Sequence, residues 1–242
     1  MSIKQLLANS NNIHEMTYKA LWHDYLIKWR IEHQKNRPIG DFHASSLASK
    51  DFCLVKAVIE EVLKKNDDSA APEQLAVFFA GIDIHNKHQN FMKAIGVSKY
   101  TEQTYYTKFL DMYATPDAIG SFLNRDIIFE IKSMRSNLFN NLKEVPYNAF
   151  CQAQIYMYMV ALPSSLVIVE NKDDQKLKIF VVEFDLRFAY NLVKHRRTIL
   201  RCLENKVIPL DKRLCAKPKK KCKYAEYCFN RNIISKIERR MK

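Results

Sequence analysis

A core strand does not bury charge without compensation, yet Arg125 to Met134, "RDIIFEIKSM", sets two charges inside an apolar run. Ile127, Ile128, Phe129 and Ile131 are β-branched or aromatic, and their spacing predicts a buried strand. Glu130 and Lys132 stand two residues apart within it. Side chains alternate across a strand, so both point to one face, behind Ile128. Either that face is solvated and the pair is an i, i+2 ion pair, or the strand runs into an active site.

The three letters alone do not decide. Glu170-Lys172, Asp174-Lys176 and Glu204-Lys206 repeat the spacing in a Lys-rich chain. Glu130 is set apart by its apolar strand and by "TPDAIG" upstream, which puts Asp117 on a neighbouring strand or its end. Two carboxylates converging on one site repel unless a divalent cation lies between them. Oxygen ligands suit Mg2+ or Mn2+, and a nearby ammonium can stabilise charge developing on a phosphate.

The remaining pattern predicts an α/β fold. An aromatic stripe (Tyr18, Leu21, Trp22, Tyr25, Leu26, Trp29) marks an amphipathic helix over 14–35, read as packing surface, and "NRPIG" ends it. A second helix is expected from Ser45 or Ser46 through Cys53 to about Lys64, and a third over Gln74 to Ile95. Strand-like runs at "TYYTKFL", "YATPDAIG" and "RDIIFEIKS" precede a helix over Tyr147 to Leu162 that Pro163 closes. "SSLVIVEN" and "KLKIFVVEFD" form a strand pair around "NKDDQ", and a helix follows from Leu186 to Asn205. This order implies a mixed sheet flanked by helices. Residues 1–40 are expected as an N-terminal helical appendage, and 41–242 as one domain including a cysteine-bearing tail.

The excess of 39 Lys+Arg over 26 Asp+Glu, a net charge of +13, suggests a polyanionic partner such as nucleic acid. With four glycines the chain contains neither GxxxxGK[ST] nor GxGxxG, which argues against an ATP-driven motor. The N-terminus lacks the apolar core of a secretory signal, and no apolar run reaches the roughly 20 residues of a membrane span. A soluble cytoplasmic protein is expected, in which six cysteines serve as thiols or ligands rather than disulfides.

Three features together, "GIDIH", "PDA…EIK" and "QAQIYMY", resemble the RecB-like branch of the PD-(D/E)XK nucleases over residues 81–158. The resemblance implies a restriction-endonuclease-like core and a metal-dependent DNA nuclease. The family's Gly-x-x-x-His motif maps to Gly81 and His85, a metal-site histidine, although His88 lies on nearly the same helix face. Asp117 and Glu130 map to its metal-binding acids and Lys132 to its lysine. The Gln-x-x-x-Tyr motif maps to Gln152 and Tyr156, with Gln154 and Tyr158 as a second register. The chain departs from the pattern at Asn86, where an acidic residue is common, and in lacking the histidine often found before the glutamine.

Cys215, Cys222 and Cys228 stand in "CAKPKKKCKYAEYC", without the CxxC knuckle of zinc ribbons, and Cys53 offers a fourth thiolate. One early and three late cysteines resemble the iron–sulfur nucleases of the same branch, closest to the CRISPR-associated Cas-four-like exonucleases. That resemblance implies a structural [4Fe–4S] cluster joining the N-terminal helices to the tail, with tetrahedral Zn2+ as the alternative ligand. Cys151 and Cys202 fall within predicted helices as ordinary buried thiols.

Lys219, Lys220 and Lys221 in the tail, with Arg196 and Arg197 on the preceding helix, are read as a backbone-tracking DNA surface. Tyr224 and Tyr227 either stack on bases or pack around the cluster. The expected activity is exonucleolytic, on single strands or ends, in DNA processing or CRISPR adaptation. A protein partner would be compatible with it, and polarity and oligomeric state are left open. The rivals are an inactive DNA-end-binding or partner-binding module on the same fold, and a zinc-stapled basic adaptor.

Overall fold

The computed structural model describes residues 3–34, 42–63, 71–209, 224–225 and 231–241. The chain forms two units, one of Met1–Ile39 with Asp67–Asp83, the other of Gly40–Asn66 with Ile84–Lys242.

In the first unit, helix α1 (Ile3–Gln34) supplies the aromatic stripe and the opening turns of α3 (Pro72–Ala94) supply Phe79. The Phe79 ring meets Trp22, Tyr25 and Trp29 at centroid distances of 6.2, 6.1 and 5.0 Å. Edge-to-face packing of this kind adds to area burial, and Leu26 and Leu75 are buried in the same unit.

The second unit is built on a five-stranded mixed sheet, ordered β1-β4-β5-β6-β7. Its strands are β1 (Ser98–Thr101), β4 (Ala118–Phe122), β5 (Arg125–Met134), β6 (Ser164–Asn171) and β7 (Leu177–Glu183). Only β5 and β6 run parallel, with α5 (Tyr147–Val160) in the crossover between them. A two-stranded ribbon, β2 (Tyr105–Thr107) with β3 (Met112–Ala114), leads directly into Thr115-Pro116-Asp117. Leu123 and Asn124 join β4 to β5 with φ of 49° and 61°, a tight turn whose twist suits antiparallel strands. Gly120 is dictated by packing, since a Cβ there would lie 2.0 Å from the Val97 carbonyl oxygen.

Alternation along β5 divides the core. Ile127, Phe129 and Ile131 join Leu166, Ile168, Ala118 and Met92 in one cluster. Ile128, Val167 and Val169 join the larger cluster formed with α5, α2 (Leu54–Leu63) and α6 (Leu186–Glu204). Buried Gln154 donates to the Glu183 carbonyl at 2.8 Å and accepts from the Asp185 amide at 2.9 Å, fixing the end of β7 to α5.

The structure differs from the sequence expectations at several points. Ser45 and Ser46 lie in a 3-10 turn over Ala44–Leu47, and α2 starts only after Cys53. Strand β1 and the short helix α4 (Ser136–Asn140) were not expected, and α7 (Arg231–Glu238) follows the cysteine tail. The "NRPIG" break, Cys215, Cys222, Cys228, Lys219, Lys220, Lys221 and Tyr227 lie outside the described residues.

Candidate active site

Asp117, Glu130, Lys132 and His85 meet where β4 begins beside β5. Pro116 has no amide hydrogen to continue a ladder, and the next residue, Asp117, turns its carboxylate across to β5. Asp117 Oδ2 accepts the Ile131 amide at 2.6 Å, and Oδ1 lies 3.1 Å from His85 Nδ1. Gln89, one turn beyond His85 on α3, donates to the Asp117 carbonyl at 3.0 Å. Only the i+4 spacing from His85 marks Gln89 in the sequence, where it carries no signal of this support.

Glu130 is almost fully buried at 2 % exposure, and its Oε1 lies 2.5 Å from Lys132 Nζ. Burial and the Asp117 charge push the Glu130 carboxyl up from an ordinary 4.5 to about 7, against the opposing pull of Lys132. Burial pulls the Lys132 ammonium down, but the charges of Glu130 and Asp117 outweigh it and hold its pKa above the ordinary value. His85 is likewise pulled down by burial and raised further by its bond to Asp117, ending above its usual value. At neutral pH Lys132 is therefore an ammonium, suited to charge stabilisation and not to proton abstraction.

Two neighbouring carboxylates beside an imidazole form a donor set whose chemistry fits a hard divalent cation. Asp117, Glu130 and His85 are the residues that would hold it. In the described geometry His85 and Lys132 instead pair with the acids, and no group of three His, Cys, Asp or Glu among the described residues is preset as a cage. The linkage is measurable. Between pH 4.5 and about 7 the folded Glu130 binds a proton that the unfolded chain has released, so in chelator stability should fall as pH rises. Saturating Mn2+ favours the ionised form and should lessen that fall. Melting curves at about pH 5 and about pH 8 check this, with a larger Mn2+-induced rise in Tm expected at the higher pH.

His88 does not share this site. Its Nε2 pairs with Glu170 Oε2 at 2.6 Å, and Lys87 Nζ takes Glu170 Oε1 at 2.6 Å. Glu170 is as buried as Glu130, but its charge is met by α3 and not by Lys172. On α5, both polar atoms of Gln154 are engaged at the β7–α6 junction, whereas Gln152 is half-buried and Tyr156 lies in the core. Gly81 is not demanded by crowding, because an added Cβ would meet nothing within 4 Å.

One sequence assignment is corrected, and one pair of alternatives is decided. Arg196 is fully buried and therefore is not a DNA-surface residue. Its Nε donates to the Leu110 carbonyl at 2.8 Å, and Nη2 to the Asp111 carbonyl at 2.6 Å. Tyr224 is 5 % exposed and donates to Glu60 at 3.0 Å, so it packs and does not stack on bases. Arg197, by contrast, reaches the surface between aromatic rings.

No protein-family model and no curated protein matches the chain. Among solved structures it is similar to an alkaline exonuclease, LHK-Exo from Laribacter hongkongensis, with a TM-score of 0.54 and 14 % identity, covering 69 % of this chain and 90 % of that one. The structure of LHK-Exo in complex with dAMP gives a TM-score of 0.52 and 16 % identity over 69 % and 90 % of the two chains. At this identity the likeness concerns the fold alone: the mixed sheet and its flanking helices share the fold of LHK-Exo. None of the described helices is long and apolar enough to cross a membrane.

Proposed function

We propose that this protein is a divalent-metal-dependent DNA exonuclease of the RecB-like PD-(D/E)XK type, acting on single strands or ends. The observation that carries the reading is the convergence of His85, Asp117, Glu130 and Lys132 at one end of the β4–β5 pair. The exonuclease fold of LHK-Exo and the excess of basic residues agree with it. A bound Mg2+ or Mn2+ would supply Lewis-acid stabilisation and a nucleophilic water at neutral pH. Asp117, held by the Ile131 amide, and Glu130, held by Lys132, are the carboxylates that would hold the ion. Lys132 sets a positive charge where the phosphate becomes more negative, and half-buried Gln152 on α5 orients the DNA or the lysine, while Tyr156, packed in the core, fixes the helix that carries it. The setting is DNA recombination and processing or CRISPR adaptation.

End-labelled single-stranded DNA incubated with the protein and Mn2+ or Mg2+ tests the reading. Loss of label is expected with metal and not in chelator, and labelling each end in turn gives the polarity. Binding without cleavage under every metal condition would replace the nuclease by a DNA-binding module on the same fold.

The reading includes a [4Fe–4S] cluster on Cys53, Cys215, Cys222 and Cys228. Cys53 is a free, partly exposed thiol immediately before α2. Tyr224, two residues after Cys222, is buried with its hydroxyl on Glu60 of α2, and Ile234 and Ile237 of α7 enter the same core. The chain therefore returns to α2 on either side of Cys228, which supports a shared ligand set. Protein purified without oxygen should be brown and carry about four irons per chain. A colourless protein with one zinc would assign Zn2+ to the same thiolates.

A further inference from the structure

We infer that Phe109, Arg197 and Tyr190 form a base-stacking and phosphate-binding subsite for single-stranded DNA on the rim between the β2–β3 ribbon and α6. The inference deepens the nuclease reading and rests on it for the identity of the polymer.

The turn over residues 108–111 is clamped from below. Leu110 is buried, and Arg196 donates to the carbonyls of both Leu110 and Asp111. Phe109 belongs to this fixed turn, yet it is 68 % exposed. A large apolar ring held rigidly in water loses the stabilisation of burial, while keeping a flat face open for a base.

Arg197, the next residue along α6 from the clamp, lies 4.6 Å from the Phe109 ring and 5.2 Å from the Tyr190 ring. Its Nη1 makes a long 3.4 Å bond to the Tyr190 hydroxyl, and its buried Nε has no hydrogen-bond partner among the described residues. A guanidinium desolvated by rings and fixed in direction is suited to a phosphate. Lys108 and Lys194 are exposed neighbours in sequence, one on each element, giving the rim the charge of a polyanion site. Tyr106, half exposed with its ring 4.7 Å from Tyr113, extends the aromatic surface along the ribbon.

The ribbon also connects the rim to the chemistry. Asp117 lies six residues beyond Asp111, a span of at most about 20 Å, so a short single strand can reach from the stacking face to the carboxylates. Stacking on aromatic side chains accepts any base and needs it unpaired, which selects single strands or frayed ends.

The test is binding of fluorescent oligo(dT) to the full chain in chelator, where cleavage cannot intervene. Phe109→Ala is expected to weaken binding about tenfold. Arg197→Ala should weaken it and lower the dependence of log affinity on log salt by about one. Blunt duplex should lose little affinity in Phe109→Ala, because its bases present no free face. Since an alanine variant can fail for other reasons, Phe109→Trp supplies an independent signal: oligo(dT) should quench the added indole emission. An unchanged affinity in Phe109→Ala, an equal loss on duplex, or an unquenched indole would each overturn the subsite. Failure of the wild type to bind oligo(dT) would overturn it too, and would turn the aromatic rim toward a protein partner. Binding is read separately from cleavage, so a protein that binds as described but never cuts refutes the nuclease and keeps the subsite.

Discussion

Lys132→Ala is expected to slow hydrolysis of single-stranded DNA by about a hundredfold or more, with affinity for the same DNA in chelator unchanged. Lys132 Nζ touches Glu130 and stays protonated because two carboxylate charges outweigh its burial. In the proposed mechanism its contribution is a fixed positive charge, which gains value in a site with little water. Removing it also leaves Glu130 buried against Asp117 with one cation fewer, so the metal-free variant should melt lower than the wild type. Both effects follow from one ammonium, and metal titration separates them. A metal-binding defect is rescued by more Mn2+, whereas the Lys132→Ala rate should stay low at saturation because the site loses a cation and keeps its acids. Single-turnover rates on end-labelled DNA across an Mn2+ series make the measurement. A saturating rate within a few-fold of wild type would remove Lys132 from the mechanism and with it the reading of "EIK" as catalytic.

The grouping of residues at the candidate site was legible because strand alternation and side-chain chemistry act locally. The period of two placed Glu130 and Lys132 on one face, and the apolar residues around them made that face a buried one. Asp117 could be joined to them because β4 and β5 are consecutive strands with a tight turn. The same reasoning applied to "SSLVIVEN" would have singled out Glu170, which is equally buried. Its partners Lys87 and His88 come from a helix more than 80 residues earlier, a contact that no local period reveals. Strand β1 and helix α4 were missed because four- and five-residue elements are held by tertiary contacts and carry little periodic signal. Ser45 and Ser46 have capping chemistry and so predict a helix start, yet they lie in a 3-10 turn where no side-chain cap forms.

Arg196 shows where a charge count misleads. "HRRTILR" reads as a basic patch, but helical spacing separates its members. Ala189, Leu192, Val193 and Ile199 form the buried stripe of α6, and Arg196 falls within it while Arg197 does not. The signal for its burial was in the sequence, hidden by the assumption that consecutive arginines share an environment.

The consequence is a large and opposite phenotype for the two arginines. Arg196→Ala should destabilise the protein by about 3–5 kcal/mol, the range for breaking a buried charge network by removing one partner. The loss would leave the Leu110 and Asp111 carbonyls without their donor, deprive Glu61 of a cation at 3.2 Å, and empty the space over the Phe42 ring. Arg196→Met retains much of the volume and should cost less, but not nothing, because the two carbonyls still lack a donor. Arg196→Lys keeps the charge and loses the planar fork, so it too should fall short of wild type. Urea unfolding followed by circular dichroism gives the three values on one scale. Arg197→Ala in the same series should change stability by less than about 1 kcal/mol, as expected for a partly exposed residue. Since the β2–β3 ribbon runs straight into Asp117, the loosened clamp in Arg196→Ala should lower the cleavage rate even where the protein remains folded. Arg197→Ala should act chiefly through affinity for single-stranded DNA. If the two variants instead matched in stability and in DNA affinity, the division of this helix into a buried and a binding arginine would be wrong.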